Sequence, residues 1–399
     1  MPDPTYRDDL PATCDFLVVG AGPAGLAAAH RLVSRGAGTV VLLDRRDPWR
    51  EPVACAEGVM RPCLEESSPL PIEPWIKQEI HSARFATVNA HFDWRNRGHG
   101  LIIDRARMHA DLARDVALKG AICHFRCRAA ELSRRVDGFR TLRYDGEIQG
   151  SLRARCVLDA SGPGTGFGRD EDLVQGDLDM EPAAFALVDG LEFDPEAIQM
   201  WLSQDFAPGG YAWLFPSGGT RANVGVVCAK GTSVSPREGL KRFIAHLAPG
   251  APLPPFFGGA IPCAKGGRKP LAADLLFKVG DAASMVHPLG RSGITEALRA
   301  GREAADQAIL ALADPDEKTR RRRYEAYRRT YRKGWGREHA GTAWIKPMLS
   351  RMDDRTWDKL FRKLSAAPGG RHTWTGIFGI AASVLPFALA TLRPRTARA

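Results

Sequence analysis

The sequence predicts an α/β protein in which a Rossmann-like domain is assembled from separated stretches of chain, a sheet-rich domain is inserted between them, and a helical segment follows. Three observations lead there. A glycine fingerprint lies between two apolar runs near the start, a late apolar run ends in Gly280-Asp281, and residues 183–191 and 211–228 read as strands between the two.

The first element is "CDFLVVGAGPAGLAAAHRLVSRGAGTVVLLDRR": a strand, a glycine turn, an Ala/Leu-rich helix and a second strand that ends in Asp44. The spacing Gly20-x-Gly22-x-x-Gly25 is the dinucleotide fingerprint. Its first glycine makes the tight turn, the second lets a pyrophosphate approach the helix N-terminus, and the third allows helix-on-strand packing. Asp44, 19 residues after Gly25, is placed to accept ribose hydroxyls. An acid there argues against a 2′-phosphate, so the ADP half fits FAD or NAD.

Residues 45–61 hold Pro, Cys and Gly without a period and read as a loop, and "ARFATVNAHFDW" then alternates as a strand. "GLIIDRARMHADLARDVALKG" is a second strand-to-helix step, with Asp104 as N-cap and Arg105 in the first turn. A cation at the positive end of a helix is unfavourable unless an anion sits there, which points Arg105 at a pyrophosphate. Strand-like runs follow at "AICHF", "FRTLRY" and "ARCVLDA", and a helix is predicted over 235–248.

In "FKVGDAASMVHPLGRSGITEALRAG" a buried strand, Phe277 to Val279, stops at Gly280-Asp281, and a long Ala-rich helix starts only at Gly293-Ile294. Such connections ordinarily take about 2–6 residues. The extra length, with an acid, a His-Pro pair and glycines, suits backbone that lies against a ligand. Residues 12–75, 99–165 and 270–313 then form the nucleotide-binding domain, 76–98 and 166–269 the second domain, and 314–399 the helical segment.

The net charge of +10 is unevenly placed: residues 315–399 carry 20 Lys and Arg against 7 Asp and Glu, and residues 1–314 carry 36 against 39. A localised basic segment suits an anionic surface better than a general nucleic-acid binder. Beyond it, residues 374–392 form 19 uncharged residues, a length that admits a membrane span; Gly376, Gly379 and Pro386 favour instead a helix that buries in the protein or dips into one leaflet. Eight scattered cysteines without a CxxC pair predict free thiols and neither a zinc site nor a disulfide framework. The polar N-terminus shows no secretory signal, so the expected location is cytoplasmic, at the inner face of the membrane.

Taken together, "VVGAGPAGLAAA", "VACAEGV", "IDRARMHADLA", "LDASGPGT", "YAWLFPSGGTRANVGV" and "KVGDAASMVHPLGRSGI" resemble the geranylgeranyl reductase family, FAD-dependent flavoproteins related to para-hydroxybenzoate hydroxylase. The more specific elements are Cys55-x-Glu57-Gly58 and Tyr211-x-Trp213-x-Phe215-Pro216. The resemblance implies FAD contacts at Ala24, Asp44, Cys55, Ala56, Gly58, Arg105, Ala129, Asp281, Gly293 and Ile294, beside the glycine turns at Gly20, Gly22, Gly25 and Gly280. Asp281 would hold the ribityl hydroxyls, and the helix starting at Ile294 would favour negative charge on the reduced flavin. Tyr211, Trp213, Phe215 and Pro216 match the substrate-cavity element, although their strand-period alternation also reads as ordinary core. Two departures stand out: Cys55-Ala56 where the family commonly has Cys-Gly, and Leu289-Gly290-Arg291-Ser292-Gly293 where it commonly has a Thr-Gly-Glu-Gly-like run.

The implied activity is FAD-dependent reduction of carbon–carbon double bonds in a geranylgeranyl or other polyprenyl chain, with NAD(P)H or reduced ferredoxin as electron donor and Cys55 as the first candidate for the proton. The alternatives are an FAD-dependent monooxygenase acting on an aromatic or other apolar substrate, and a membrane-associated electron carrier. A polyprenyl lipid and peripheral membrane contact are the expected partners; the oligomeric state stays open.

Overall fold

The computed structural model describes residues 10–49, 53–176, 178–265 and 269–366. The chain begins with β1 (Thr13–Val19), α1 (Pro23–Ser34) and β2 (Val40–Leu43), followed by β3 (Gly58–Met60), α2 (Arg61–Ser67) and a long hairpin, β4 (Ile76–Ala86) and β5 (His91–Ile103). Next come α3 (Arg105–Leu118), β6 (Ile122–His124), β7 (Cys127–Leu132), β8 (Arg140–Gly146) and β9 (Gly150–Asp159). The middle of the chain supplies β10 (Met180–Val188), β11 (Ala197–Trp201), β12 (Tyr211–Pro216), β13 (Ala222–Val227), α4 (Pro236–Leu247) and β14 (Phe257–Pro262). The remainder is β15 (Ala272–Ala273), β16 (Leu276–Lys278), α5 (Ile294–Ala313), α6 (Glu317–Tyr331), α7 (Arg337–Leu349) and α8 (Asp354–Ser365).

Among the described residues the strands form two sheets. The first has the order β15-β16-β9-β1-β2-β6, with the β7–β8 hairpin joined to β9 through β8. Strands β16, β9, β1, β2 and β6 run parallel. Strand β1 is buried on both faces, as central parallel strands are: Phe16 and Val18 pack with Val40 and Leu42 under the helices, whereas Leu17 and Val19 pack with Val41 and Leu43 against Leu142 of β8 and Leu152 of β9. Parallel pairing aligns Val19 with Asp159 and Asp159 with Lys278. The turns after β1, β9 and β16 therefore share one edge, where ligands of open α/β sheets bind.

Helices α1 and α5 cross closely because small residues line both. A Cβ on Gly301 would sit 2.1 Å from the Ala24 carbonyl oxygen, and the facing side of α5 is Ala297, Ala300, Ala304, Ala305 and Ala308. Helix α6 turns Tyr324 and Tyr327 into the same core, where the Tyr327 hydroxyl donates to the Lys278 carbonyl at 3.0 Å.

The second sheet has the order β14-β10-β13-β12-β11-β4-β5-β3, antiparallel except for the β11–β4 pair. One face packs on Leu240, Phe243 and Ile244 of α4. The opposite face carries Ile80, Ile102, Trp213, Phe215 and Val227, with partly buried Ala56, Ala183, Phe185, Ile198, Met200, Tyr211 and Ile261. At one end, Phe361 and Leu364 of α8 cover Phe92.

Several expectations differ from what is found. "ARFATVNAHFDW" is two strands, because Thr87 turns the chain: its backbone N–H donates to the Ala90 carbonyl and its hydroxyl accepts from the Asn89 and Ala90 amides. Residues 58–60 and 100–103, grouped with the nucleotide segments in sequence, pair into the second sheet, because 100–103 are the end of β5. Strand β7 was not expected, since Arg128 and Glu131 interrupt its apolar pattern. The strand expected at Phe277–Val279 is Leu276–Lys278, and a 3-10 turn over Gly280–Ala283 occupies part of the connection. The apolar stretch 374–392 lies outside the described residues; among the described ones no helix is long and apolar enough to cross a membrane.

Candidate active site

At the shared edge, Gly20 has φ +105°, and a Cβ there would lie 2.3 Å from the Ala160 carbonyl oxygen. A Cβ on Gly25 would lie 1.7 Å from the Gly20 oxygen, so the turn closes only with hydrogen at both positions. By contrast, a Cβ on Gly22 would meet nothing within 4 Å. Gly22 is the N-cap of α1 and supplies no capping side chain, which leaves the first-turn amides facing open space. The Ala24 side chain packs toward Gly280, so its backbone is what it can offer a ligand. Asp44 binds the same turn: its carboxylate accepts from the amides of Ala21 and Arg46. Burial raises its pKa, and those two amides oppose the rise. Ala129 lies on β7, whose first residue, Cys127, donates its amide to the Asp44 carbonyl at 2.9 Å.

Asp104 caps α3 by accepting from the Arg107 amide at 2.9 Å, which starts the helix at Arg105. The Arg105 amide donates to Glu57 Oε1 at 3.2 Å, and its Nε is buried without a partner. Asp281, in the 3-10 turn after β16, has its pKa raised by burial, and the nearby Arg105 charge opposes this. Beneath the turns a buried ion pair braces the edge: Lys278 Nζ lies 2.7 Å from Asp159 Oδ2 and also donates to the Phe167 carbonyl at 3.0 Å.

The connection from Met285 to Gly293 is folded on His287. Its Nδ1 accepts from the amides of Leu289 at 3.2 Å and Gly290 at 2.8 Å, and its amide donates to the Ser292 carbonyl at 2.8 Å. His287 therefore holds the loop, with Nδ1 unprotonated. Gly293 is the N-cap of α5 and has no capping side chain, so the amides that begin at Ile294 are left for a ligand.

The loop Cys55–Gly58 is clamped onto the second sheet. The Trp213 Nε1–H donates to Asn223 Oδ1 at 2.9 Å, and Asn223 Nδ2 donates to the Cys55 carbonyl at 2.8 Å. A Cβ on Gly58 would lie 2.9 Å from the Phe215 ring, so this glycine lets the loop reach the aromatic strand. Ala56 packs on the same apolar face. Cys55 is half-buried, and its Sγ accepts from the Glu57 amide at 3.2 Å. Trp213, Phe215 and Pro216 are buried and Tyr211 is half-buried, so Tyr211 is the most open of the four. The Tyr211 hydroxyl donates to the Gly290 carbonyl at 3.1 Å, which joins the sheet to the His287 loop.

The structure thus gathers the glycine turn, Asp44, Arg105 and Asp281 along one edge, and brings the Cys55 loop and the His287 loop to β12. Sequence reasoning missed Asn223, Gly225 and Glu181. A Cβ on Gly225 would lie 2.1 Å from the Trp213 ring, so the indole lies across that glycine. The signal for Asn223 and Gly225 was their alternation with Val227 opposite Phe215, Trp213 and Tyr211; Glu181 had none.

The residues present suit FAD. An open α1 N-terminus, an unpartnered buried Arg105 Nε and a half-buried carboxyl at Asp281 are what a dinucleotide would satisfy.

Comparisons with known proteins agree. The family model described as "Geranylgeranyl reductase catalytic domain" matches residues 179–253, and that described as "Lycopene cyclase protein" matches residues 15–197. The chain is 32% identical over 395 residues to a digeranylgeranylglycerophospholipid reductase of Methanothrix thermoacetophila, covering 95% of this chain and 98% of the relative. It is 33% identical over 320 residues to digeranylgeranylglycerophospholipid reductase 1 of Methanopyrus kandleri, covering 76% and 82%. Among solved structures, a geranylgeranyl bacteriochlorophyll reductase-like protein from Thermoplasma acidophilum superposes with TM-score 0.82 at 25% identity, covering 95% of this chain and 98% of that one. A flavin-dependent brominase, TM-score 0.64 at 14% identity, covering 95% and 100%, shares the fold alone. On these grounds the chain belongs to the geranylgeranyl reductase family and is an FAD-dependent oxidoreductase.

Proposed function

We propose that this enzyme saturates carbon–carbon double bonds in a geranylgeranyl or other polyprenyl chain carried by a lipid. The observation that carries this reading is the apolar face of the second sheet, where Ala183, Phe185, Ile198, Met200, Tyr211 and Ile261 are only partly covered and lead to Ala56 beside Cys55. A flexible hydrocarbon chain with no polar groups suits such a wall. FAD, when bound, supplies the hydride. The turn at Gly20, Gly22 and Gly25 would receive its pyrophosphate, Asp44 a ribose, and Asp281 the ribityl hydroxyls. Arg105 would offset phosphate charge, and the α5 amides from Gly293-Ile294 would favour the reduced form. Cys55, held at the end of the apolar wall by Asn223, is the residue we assign to deliver the proton. Electrons come from outside the chain, from NAD(P)H or reduced ferredoxin.

In this proposal residues 12–75, 99–165 and 270–313 bind nucleotide, 76–98 and 166–269 bind substrate, and 314–399 form a third, basic part. The enzyme would work from the cytoplasm at the inner face of the membrane. The basic surplus of residues 315–399 supports that placement, although Arg321, Arg323 and Arg328 are paired with Glu317, Asp314 and Glu325. Co-sedimentation of the full chain with anionic vesicles that is unchanged by salt and by neutralising Arg320–Arg323 would remove the membrane role of this basic segment.

The decisive experiment is anaerobic. Dithionite-reduced enzyme is given geranylgeranyl diphosphate or a geranylgeranylated phospholipid, and product mass is measured. Gains of two hydrogens per double bond are expected. Unchanged prenyl mass with every class, together with substrate-stimulated oxygen uptake in air, would overturn the reading.

A further inference from the structure

One buried carboxylate joins three elements that lie far apart in sequence. Glu181 on β10 is 1% exposed; its Oε2 accepts from Arg291 Nε at 2.9 Å, its Oε1 lies 3.0 Å from Lys346 Nζ on α7, and the Cys263 thiol lies 3.2 Å from Oε2. Lys346 Nζ also reaches Asp179 Oδ2 at 2.6 Å. The Arg291 side chain is 5% exposed, donates from Nη1 to the Leu289 carbonyl at 2.7 Å, and holds its guanidinium 4.7 Å from the centre of the Tyr211 ring. Charges this deep persist only when paired. Arg291 also adopts φ +54°, an uncommon conformation for a side-chain-bearing residue, and it stands two residues before the N-cap of α5.

We propose that Glu181 is a positioning residue for the flavin. Through Arg291 it fixes the loop entering α5 and the net charge beside the cofactor, and through Lys346 it ties that loop to α7; together these set the reduction potential. The inference rests on FAD occupying the site described above.

The sign of the effect separates electrostatics from mere support. Added positive charge near the cofactor favours its reduced, negatively charged form and raises the potential; lost positive charge lowers it. Glu181→Gln keeps the side-chain shape and removes one negative charge. Lys346→Met removes one positive charge. The double variant Glu181→Gln/Lys346→Met removes one of each.

The test is a dye-coupled redox titration of the FAD-loaded full chain at pH 7. Glu181→Gln is expected to raise the reduced-to-oxidised ratio at fixed potential about tenfold, or about 30 mV for a two-electron couple. Lys346→Met is expected to lower it comparably, and the double variant to return to within about threefold of wild type. Shifts of the same sign in both single variants, no shift in either, or a double variant that does not return would overturn the proposal. If Glu181→Gln does not fold, Lys346→Met must still fall and the double variant must still recover. A wild-type chain that binds no FAD would instead overturn the reading of the site.

Discussion

Replacing Asn223 with leucine tests whether the aromatic strand holds the Cys55 loop. Asn223 is 3% exposed and serves one buried partner, the Trp213 Nε1–H at 2.9 Å, and one half-buried partner, the Cys55 carbonyl at 2.8 Å. Leucine has a similar size but neither accepts nor donates. The buried indole N–H left without a partner costs about 1–3 kcal/mol and the half-buried carbonyl adds less, so a loss of about 1–4 kcal/mol is predicted. That is large beside a total stability of about 5–15 kcal/mol. Urea unfolding of the FAD-loaded protein, followed by flavin fluorescence, measures it. A local readout comes from Cys55, which with Cys63 is one of the two cysteines not fully buried. In a Cys63→Ser background, Asn223→Leu should speed labelling of Cys55 by a thiol reagent. A stability change below about 0.5 kcal/mol together with unchanged labelling would refute the clamp.

The other predictions follow the same geometry. Gly225→Ala places a Cβ inside the Trp213 ring, so a loss of about 1–3 kcal/mol from overpacking and slower turnover of a geranylgeranyl substrate are expected, with the FAD spectrum retained; normal stability and turnover would count against Trp213 resting on that glycine. Asp281→Ala removes a carboxylate acceptor worth about 1.5–3 kcal/mol, which should weaken FAD binding roughly 10- to 150-fold in a flavin fluorescence titration; equal affinity would place the ribityl chain elsewhere. Burial and the neighbouring His287 lower the pKa of His339 from 6.5 to about 4. The unfolded chain therefore takes up its proton first, and His339 makes stability fall as pH drops from 6.5 to about 4. His339→Asn should flatten that part of a urea-midpoint profile, and an unaltered profile would assign the acid sensitivity to other groups.

Much of the nucleotide edge was legible because its demands are local. Gly20 needs positive φ, Gly25 needs room one turn later, and Asp104 caps its own helix, all within a few residues. The parallel edge followed from three apolar strands that each end in a turn. Strand β7 escaped because its inward residues, Cys127 and Ala129, are small and alternate with charged neighbours. In the sequence His287 is only half of a His-Pro pair, and the two amides it accepts make it a holder of the loop.

What the sequence determined by itself was the set of elements and the chemistry each could present: the glycine turn, the Cys55-x-Glu57-Gly58 loop, and the aromatic strand from Tyr211 to Pro216. Propensity, capping and side-chain alternation act over a few residues, and a single sequence displays them. What only the tertiary structure decided was which of these groups meet. Asn223 reaches Cys55 across 168 residues and Glu181 reaches Arg291 across 110, and both contacts depend on strand pairing and on how the two sheets abut. The sequence marked Arg291 as a departure from the family pattern without indicating its partner. Its burial is tolerable only because folding brings Glu181, and behind it Lys346, to the same point. A buried charge takes its energy from what surrounds it, and those surroundings exist only once the sheet and the C-terminal helices have packed together.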